Sequence, residues 1–327
     1  MLCAGLLTAT CLAEERVITV RDEEGLALAG VRIEAILTPT DDPRLASVVL
    51  REGTTDPDGS FRFPADERLV LARVKARRTG HHTADADHRH GLGRSKSSTH
   101  LSLILPRLTE LVPLNYREIH LSGLPTDKWI GFDAEIGDAI GPYGKGKTTD
   151  FNIRIESQHI GWAESAEALA EIRLTAEGRR MDAKEWAETY GRFRGMLHLS
   201  FPRPADGIQV SPAFWPYCML KMPALAPADG YAQDKSFAFD TLPDGETAHD
   251  FTGTYLRLRT QVDPRGLPVS AHYAKIHGRI EAGPGRVAFR FYYNPRADDR
   301  RLAFAPGRNL LKPGPKEPAH HFETQQP

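Results

Sequence analysis

Thr55-Asp56-Pro57-Asp58-Gly59-Ser60-Phe61-Arg62-Phe63 reads as a tight turn leading into a strand. Proline presets one turn dihedral and glycine tolerates the awkward one, while Phe61 and Phe63 fall two apart on a single face. Upstream, VITV from Val17, RDEEG from Arg21 and LALAGVRIEAIL from Leu26 read as strand, polar turn and strand. Val31, Ile33 and Ala35 alternate with Arg32, Glu34 and Ile36, which is the period of a half-buried strand. Strands at Leu69 to Ala76 and His100 to Leu105 complete a sandwich or partly open barrel with Greek-key connections.

Ala29-Gly30-Val31-Arg32-Ile33 followed by the Thr55–Phe63 turn and strand resembles the transthyretin-like modules known as carboxypeptidase-regulatory-like or Cna-B-like domains. The resemblance covers roughly Arg16 to Pro106 and implies a seven-stranded type of Greek-key β-sandwich. It says little about function, since such modules serve as spacers, adhesive units or enzyme accessories. The rest of the chain, including WIGFDAEIGDAIGPYGKGKTTDFNIRI from Trp129, SAHYAKIHGRI from Ser270 and VAFRFYYNP from Val287, resembles a group of exported bacterial proteins. These join such a module to a C-terminal part of this kind; the match implies architecture and export and assigns no residue a role.

At 327 residues the chain is long enough for two cores. The expected organisation is a signal peptide at 1–13, the β-sandwich at 14–106, a linker at 107–114, a β-rich domain at 115–312 and a disordered, proline-rich tail at 313–327. The fold class is mainly β, the larger domain being antiparallel with one or two short helices. One such helix is expected at Asp182 to Tyr190, with Asp182 as N-cap and Trp186 and Tyr190 four apart. The apolar start ending in Cys11-Leu12-Ala13 suits a signal peptidase site but lacks a basic n-region, so an apolar cap strand is the competing reading. Cleavage there would leave Cys218 alone and place the protein in a secreted or periplasmic setting. A formal charge of −1 gives no reason to expect nucleic acid as a partner, and no stretch after the leader has the length and hydropathy of a membrane span. Polysaccharide or an envelope protein are the partners to consider.

Gly141-Pro-Tyr-Gly-Lys-Gly146-Lys147-Thr148 satisfies the bare P-loop expression, but that chemistry needs a helix N-terminus immediately afterwards. Asp150 to Ile155 instead alternates as a strand, so the segment reads as a glycine-rich loop with solvated lysines. His81, His82, Asp85, Asp87, His88 and His90, with His100 later, form the one candidate for a divalent metal, against the plainer reading of an exposed polar connection. No other cofactor is expected. No G-x-S-x-G, H-E-x-x-H or C-x-x-C is present; Ser270, His272 and Asp133 form a conceivable triple, and Asp133, Glu135 and Asp138 conceivable paired carboxylates.

Thr254 to Val262 and Pro268 to Glu281 flank the turn Asp263-Pro264-Arg265-Gly266, and Arg286 to Tyr293 follows as a third strand. One parity, Leu256, Leu258, Ala274, Ile276, Ile280, Val287, Phe289 and Phe291, should face a core. The other carries Tyr255, Arg257, Arg259, Tyr273, Lys275, His277, Arg279, Arg290 and Tyr292. Rings beside cations suit stacking on sugars or holding acidic groups. The plainer reading is a solvated face, or one covered by the Ala163 to Tyr190 segment. The expected function is therefore a non-enzymatic exported protein that binds a carbohydrate or cell-surface component. A glycoside hydrolase or other carbohydrate-active hydrolase, and a structural envelope protein, are the alternatives.

Overall fold

A computed structural model describes residues 15–39, 48–87, 100–162, 191–215, 217–218, 220–241, 247–248, 253–305 and 307–312. The chain divides into two compact units, Met1–Thr109 with Trp215–Lys221, and Glu110–Phe214 with Met222–Pro327.

The first unit contains β1 (Glu15–Arg21), β2 (Arg32–Pro39), β3 (Val49–Thr54), β4 (Ser60–Pro64), β5 (Leu69–Arg77), β6 (Ala84–Asp87) and β7 (His100–Ile104). They form two open sheets, ordered β4-β1-β7 and β3-β2-β5-β6, with β1 and β7 parallel and the other pairs antiparallel. Alternation decides the core: Ile18, Val20, Phe63 and Leu103 from one sheet join Ile33, Ala35, Leu37, Val74 and Ala86 from the other. The Thr55–Gly59 turn closes with the Asp56 N–H on Ser60 O at 2.8 Å and the Gly59 N–H on Asp56 O at 2.9 Å. Buried Thr55 donates its hydroxyl to Leu28 O at 2.6 Å and accepts the Val31 N–H at 3.0 Å, tying this turn to the preceding one. Cys218 is buried in this unit, and burial pushes its thiol up to about 11.

The second unit contains β8 (Asn115–Leu121), β9 (Ile130–Asp133), β10 (Asp138–Ala139), β11 (Phe151–Trp162), β12 (Gly191–Ser200), β13 (Gly207–Val210), β14 (Asp234–Thr241), β15 (Thr247–Ala248), β16 (Gly253–Val262), β17 (Pro268–Gly283) and β18 (Arg286–Asn294). A six-stranded sheet runs β10-β9-β11-β12-β14-β15, and a five-stranded one β13-β16-β17-β18-β8. Between them lies the larger core, with Phe132, Phe151, Ile153, Leu197 and Phe239 on one side and Leu256, Leu258, Ile276, Phe289 and Phe291 on the other. The far side of the five-stranded sheet is covered too. Val112, Leu114, Met222, Ala226, Leu302 and Phe304, from three segments without regular strands, pack on it as a roof.

The expectation of one or two short helices is corrected: among the described residues every named element is a strand. Their apolar residues recur with period two between proline and glycine turns, which suits sheets and leaves no amphipathic helical stripe. Asp182–Tyr190, the stretch behind that expectation, lies outside the described residues, as do residues 1–14 and those after 312. Among the described residues no helix is long and apolar enough to cross a membrane.

Candidate functional site

The face expected to bind is covered. Tyr255, Lys275 and Tyr292 sit side by side on β16, β17 and β18, and Tyr116 of β8 stacks on Tyr292 with centroids 4.6 Å apart. All four are buried, as are Arg257, Tyr273 and His277, because the roof lies over them. Arg257 donates to Ala205 O at 2.7 Å and Ala228 O at 3.2 Å and lies 4.7 Å from the centroid of Tyr231, so its fork holds loops rather than a ligand. Arg290 is exposed and paired with Glu118 at 3.1 Å. The side chain of Arg279 lies outside the described ones.

Arg259 is not on that face. The ladder shifts register between Leu258 and Gln261, Arg259 takes φ 53°, and Asp206 accepts the N–H groups of Arg259 at 3.0 Å and Thr260 at 2.7 Å. This bulge re-aims the guanidinium toward Asp150, Glu135 and Asp133, over the ring of Tyr293 at 5.8 Å. Burial pushes Asp206 up, against the opposing pull of these bonds.

The acids considered for catalysis are already engaged. Asp133 accepts N–H bonds from Glu135 at 3.1 Å, Ile136 at 3.2 Å, Lys147 at 2.9 Å and Thr148 at 3.0 Å. Burial alone would raise its pKa, but these amides and Arg259 outweigh it and hold the carboxyl below the usual range. The anion cradled by the P-loop-like segment is thus the chain's own Asp133. Asp138 likewise accepts the N–H of Ala139 at 2.8 Å and of Lys145 at 3.0 Å. Ser270 bonds Asp298 at 3.1 Å, while His272 stacks on Tyr293 and meets Asn294 O at 3.4 Å, so these do not form the triple with Asp133.

In the histidine-rich segment, Asp85 makes a two-point pair with Arg73 at 2.7 and 2.5 Å. His81 Nδ1 lies 3.2 Å from Thr79 O, the His82 N–H donates to Pro106 O, and His100 Nε2 lies 3.2 Å from Thr19 Oγ1 on β1. Asp87 ends β6, and His88 and His90 lie outside the described residues. Among the described residues no group of three His, Cys, Asp or Glu is placed to hold a metal ion.

An open aromatic platform stands instead on the outer face of the six-stranded sheet. Phe151, Ile153 and Ile155 turn inward on β11, so Arg154 and Glu156 turn outward. Ile153 pairs with Ile130 and Arg154 with His198, which pairs with Ser236, so Trp129, Arg154, His198 and Ser236 form one row across four chain segments. Trp129 is 48% exposed. The Arg154 guanidinium lies 5.0 Å from the centroid of its indole, and His198 meets it edge-on at 6.3 Å. Arg154 pairs with Glu156, whose carboxylate is 3.3 Å from His198 Nε2, while His198 Nδ1 is 2.7 Å from Ser236 Oγ. The indole is thereby fixed beside a row of donors and acceptors. Sequence reading passed over this site, although its signal was present: Trp129 is out of phase with Ile130 and Phe132, both of which point into the core.

No family model matches the chain, and no curated protein matches it. Among solved structures it has a weak likeness to a streptococcal ancillary pilin, 9% identical, covering 86% of this chain and 59% of that one at a TM-score of 0.21. It is also similar to fervidolysin from Fervidobacterium pennivorans, a keratinolytic enzyme related to subtilisin, 12% identical over 85% of this chain and 32% of that one, TM-score 0.19. The chain spans less than two thirds of either protein.

Proposed function

We propose that the protein is a non-enzymatic binding protein whose outer six-stranded sheet receives a carbohydrate or related cell-surface polymer, with export as the setting. The observation that carries this reading is the half-exposed indole of Trp129, held in place by Arg154 beside Glu156, His198 and Ser236. An indole offers a flat apolar surface to the C–H face of a sugar ring, while neighbouring polar side chains meet its hydroxyls. The charges in the row are paired, Arg154 with Glu156 and, along the sheet, Arg194 with Asp240 at 2.8 Å, which favours neutral polyols over strongly acidic polymers.

The test is a polysaccharide array probed with the full chain, with product analysis on each retained ligand. Retention without turnover, weakened at least about tenfold by Trp129→Ala and by Arg154→Ala, is the expected result. Unchanged retention in both variants rejects the platform, turnover favours the hydrolase reading, and no retention favours the structural envelope role.

A further inference from the structure

Beneath the roof, Lys275 stands between Tyr255 and Tyr292 at the middle of the five-stranded sheet. It is 0% exposed, its Nζ lies 4.9 Å from the centroid of the Tyr292 ring, and it has no hydrogen-bond acceptor among the described residues. Its neighbours in the same layer are employed differently. Tyr255 donates its hydroxyl to Pro223 O at 2.5 Å, and Asn294 donates to Asp299 O and Arg301 O at 3.0 Å, so each pins a roof segment to the sheet. The segments also lace to one another, Val112 to Ala303 at 2.8 Å, Leu302 to Ala224 at 2.7 Å and Ala226 to Arg300 at 2.8 Å.

The titratable and charged groups around this layer supply no counter-charge. They are Tyr273 and His277 on β17, Tyr255 and Arg257 on β16, Arg290 and Tyr292 on β18, Tyr116 and Glu118 on β8, and Glu110, Tyr231, Asp298, Asp299, Arg300 and Arg301 in the covering segments. Glu118 is taken by Arg290 and the Tyr116 hydroxyl, Glu110 and Asp299 by Arg301, and Asp298 by the Ser270 hydroxyl and the Ala271 N–H. An ammonium buried without a partner is costly, whereas the neutral amine is tolerated.

We infer that the roof is a proton-coupled cover: lifting it loads one proton onto Lys275 and bares the Tyr255–Lys275–Tyr292 row to solvent. Burial lowers the closed-state pKa of Lys275 to about 7. In the open state water returns it to about 10.5. Between these values the closed form holds a neutral amine and the open form an ammonium, so opening takes up a proton. The opening constant therefore rises about tenfold for each pH unit lost across that window, and is flat below it because both forms are then charged.

Hydrogen exchange of the roof amides Val112, Ala226 and Leu302 in the full chain, corrected for intrinsic rates from about pH 7 to about pH 9, tests this. The expected result is protection that rises about tenfold per pH unit in the wild type and is independent of pH in Lys275→Met. Flat wild-type protection, or an equal slope in Lys275→Met, overturns the inference. Should Lys275→Met not fold, an NMR titration of the wild type with labelled lysine side chains decides it. A Lys275 signal titrating near neutrality supports the coupling, and one titrating near about 10.5 overturns it.

Discussion

Arg259 and Asp150 meet in a two-point pair, Nε to Oδ1 and Nη2 to Oδ2, both at 2.9 Å, with Asp150 fully buried. Asp150 also accepts the Ala134 N–H at 2.9 Å, so its carboxylate ties β16 to the β9 loop. Removing Asp150 leaves the Arg259 guanidinium to Glu135 and Asp133 and takes the acceptor from the Ala134 N–H, while removing Arg259 leaves buried Asp150 with Arg203 as its remaining counter-charge among the described residues. Asp150→Ala should cost about 3–5 kcal/mol in urea unfolding, and Asp150→Ala with Arg259→Met should cost less than the sum of the single changes. Additive losses in the double-mutant cycle would mean that the two side chains do not act as a pair.

Asp133, at the end of β9, and Lys147, in the glycine-rich loop wrapped around it, have opposite importance. Asp133 satisfies four backbone N–H groups, whereas the Lys147 side chain is exposed and, among the described residues, only its amide is used. Asp133→Ala should destabilise by roughly 2–4 kcal/mol, and Lys147→Ala should stay within about 0.5 kcal/mol of wild type. Chemical denaturation of both variants measures this. A large loss for Lys147→Ala would restore a role for its ammonium.

The turns at Thr55–Gly59 and Asp263–Gly266 were legible because proline, aspartate and glycine act within four residues. The inward parity of Leu256, Ile276 and Phe291 was legible because pleating is local. Arg259 was not, since its bulge is held by Asp206, which comes from a loop more than fifty residues earlier. The roof was also hidden: residues such as Met222 and Phe304 have no periodicity that marks them as cover for a sheet face. That cover turns Tyr255 and Arg257 from exposed ligand contacts into internal anchors. Trp129 shows the converse, a readable parity whose exposed ring gained meaning only when register placed Arg154 and His198 beside it.

Acid should loosen the second unit through Asp299. Its bonds from the Arg301 guanidinium at 2.8 Å hold the carboxyl down to about 2, the amide of Arg301 adding to this. A carboxyl whose folded pKa is depressed contributes stability above its unfolded value, and that contribution fades as pH falls through the folded value. The loss should run from about pH 4 down to about pH 2. Asp299→Asn should be less stable at neutral pH and show a shallower decline over that window. Parallel pH profiles for the two proteins would rule out this source.

Two turn glycines with nearly the same φ should respond differently to alanine. Gly59 has φ 77° and Gly266 φ 80°, so each substitution incurs left-handed backbone strain of about 1–2 kcal/mol. At Gly266 the added methyl meets nothing within 4 Å. At Gly59 it would lie 2.6 Å from Val20 O, the carbonyl that accepts the Leu28 N–H at 3.0 Å, so the backbone joining β1 to its turn must move. Gly266→Ala should therefore cost only the strain, while Gly59→Ala should cost about 3 kcal/mol or more and affect the first unit. Equal losses in thermal or urea unfolding would show that the Val20 contact relaxes freely, leaving the dihedral as the sole constraint at both turns.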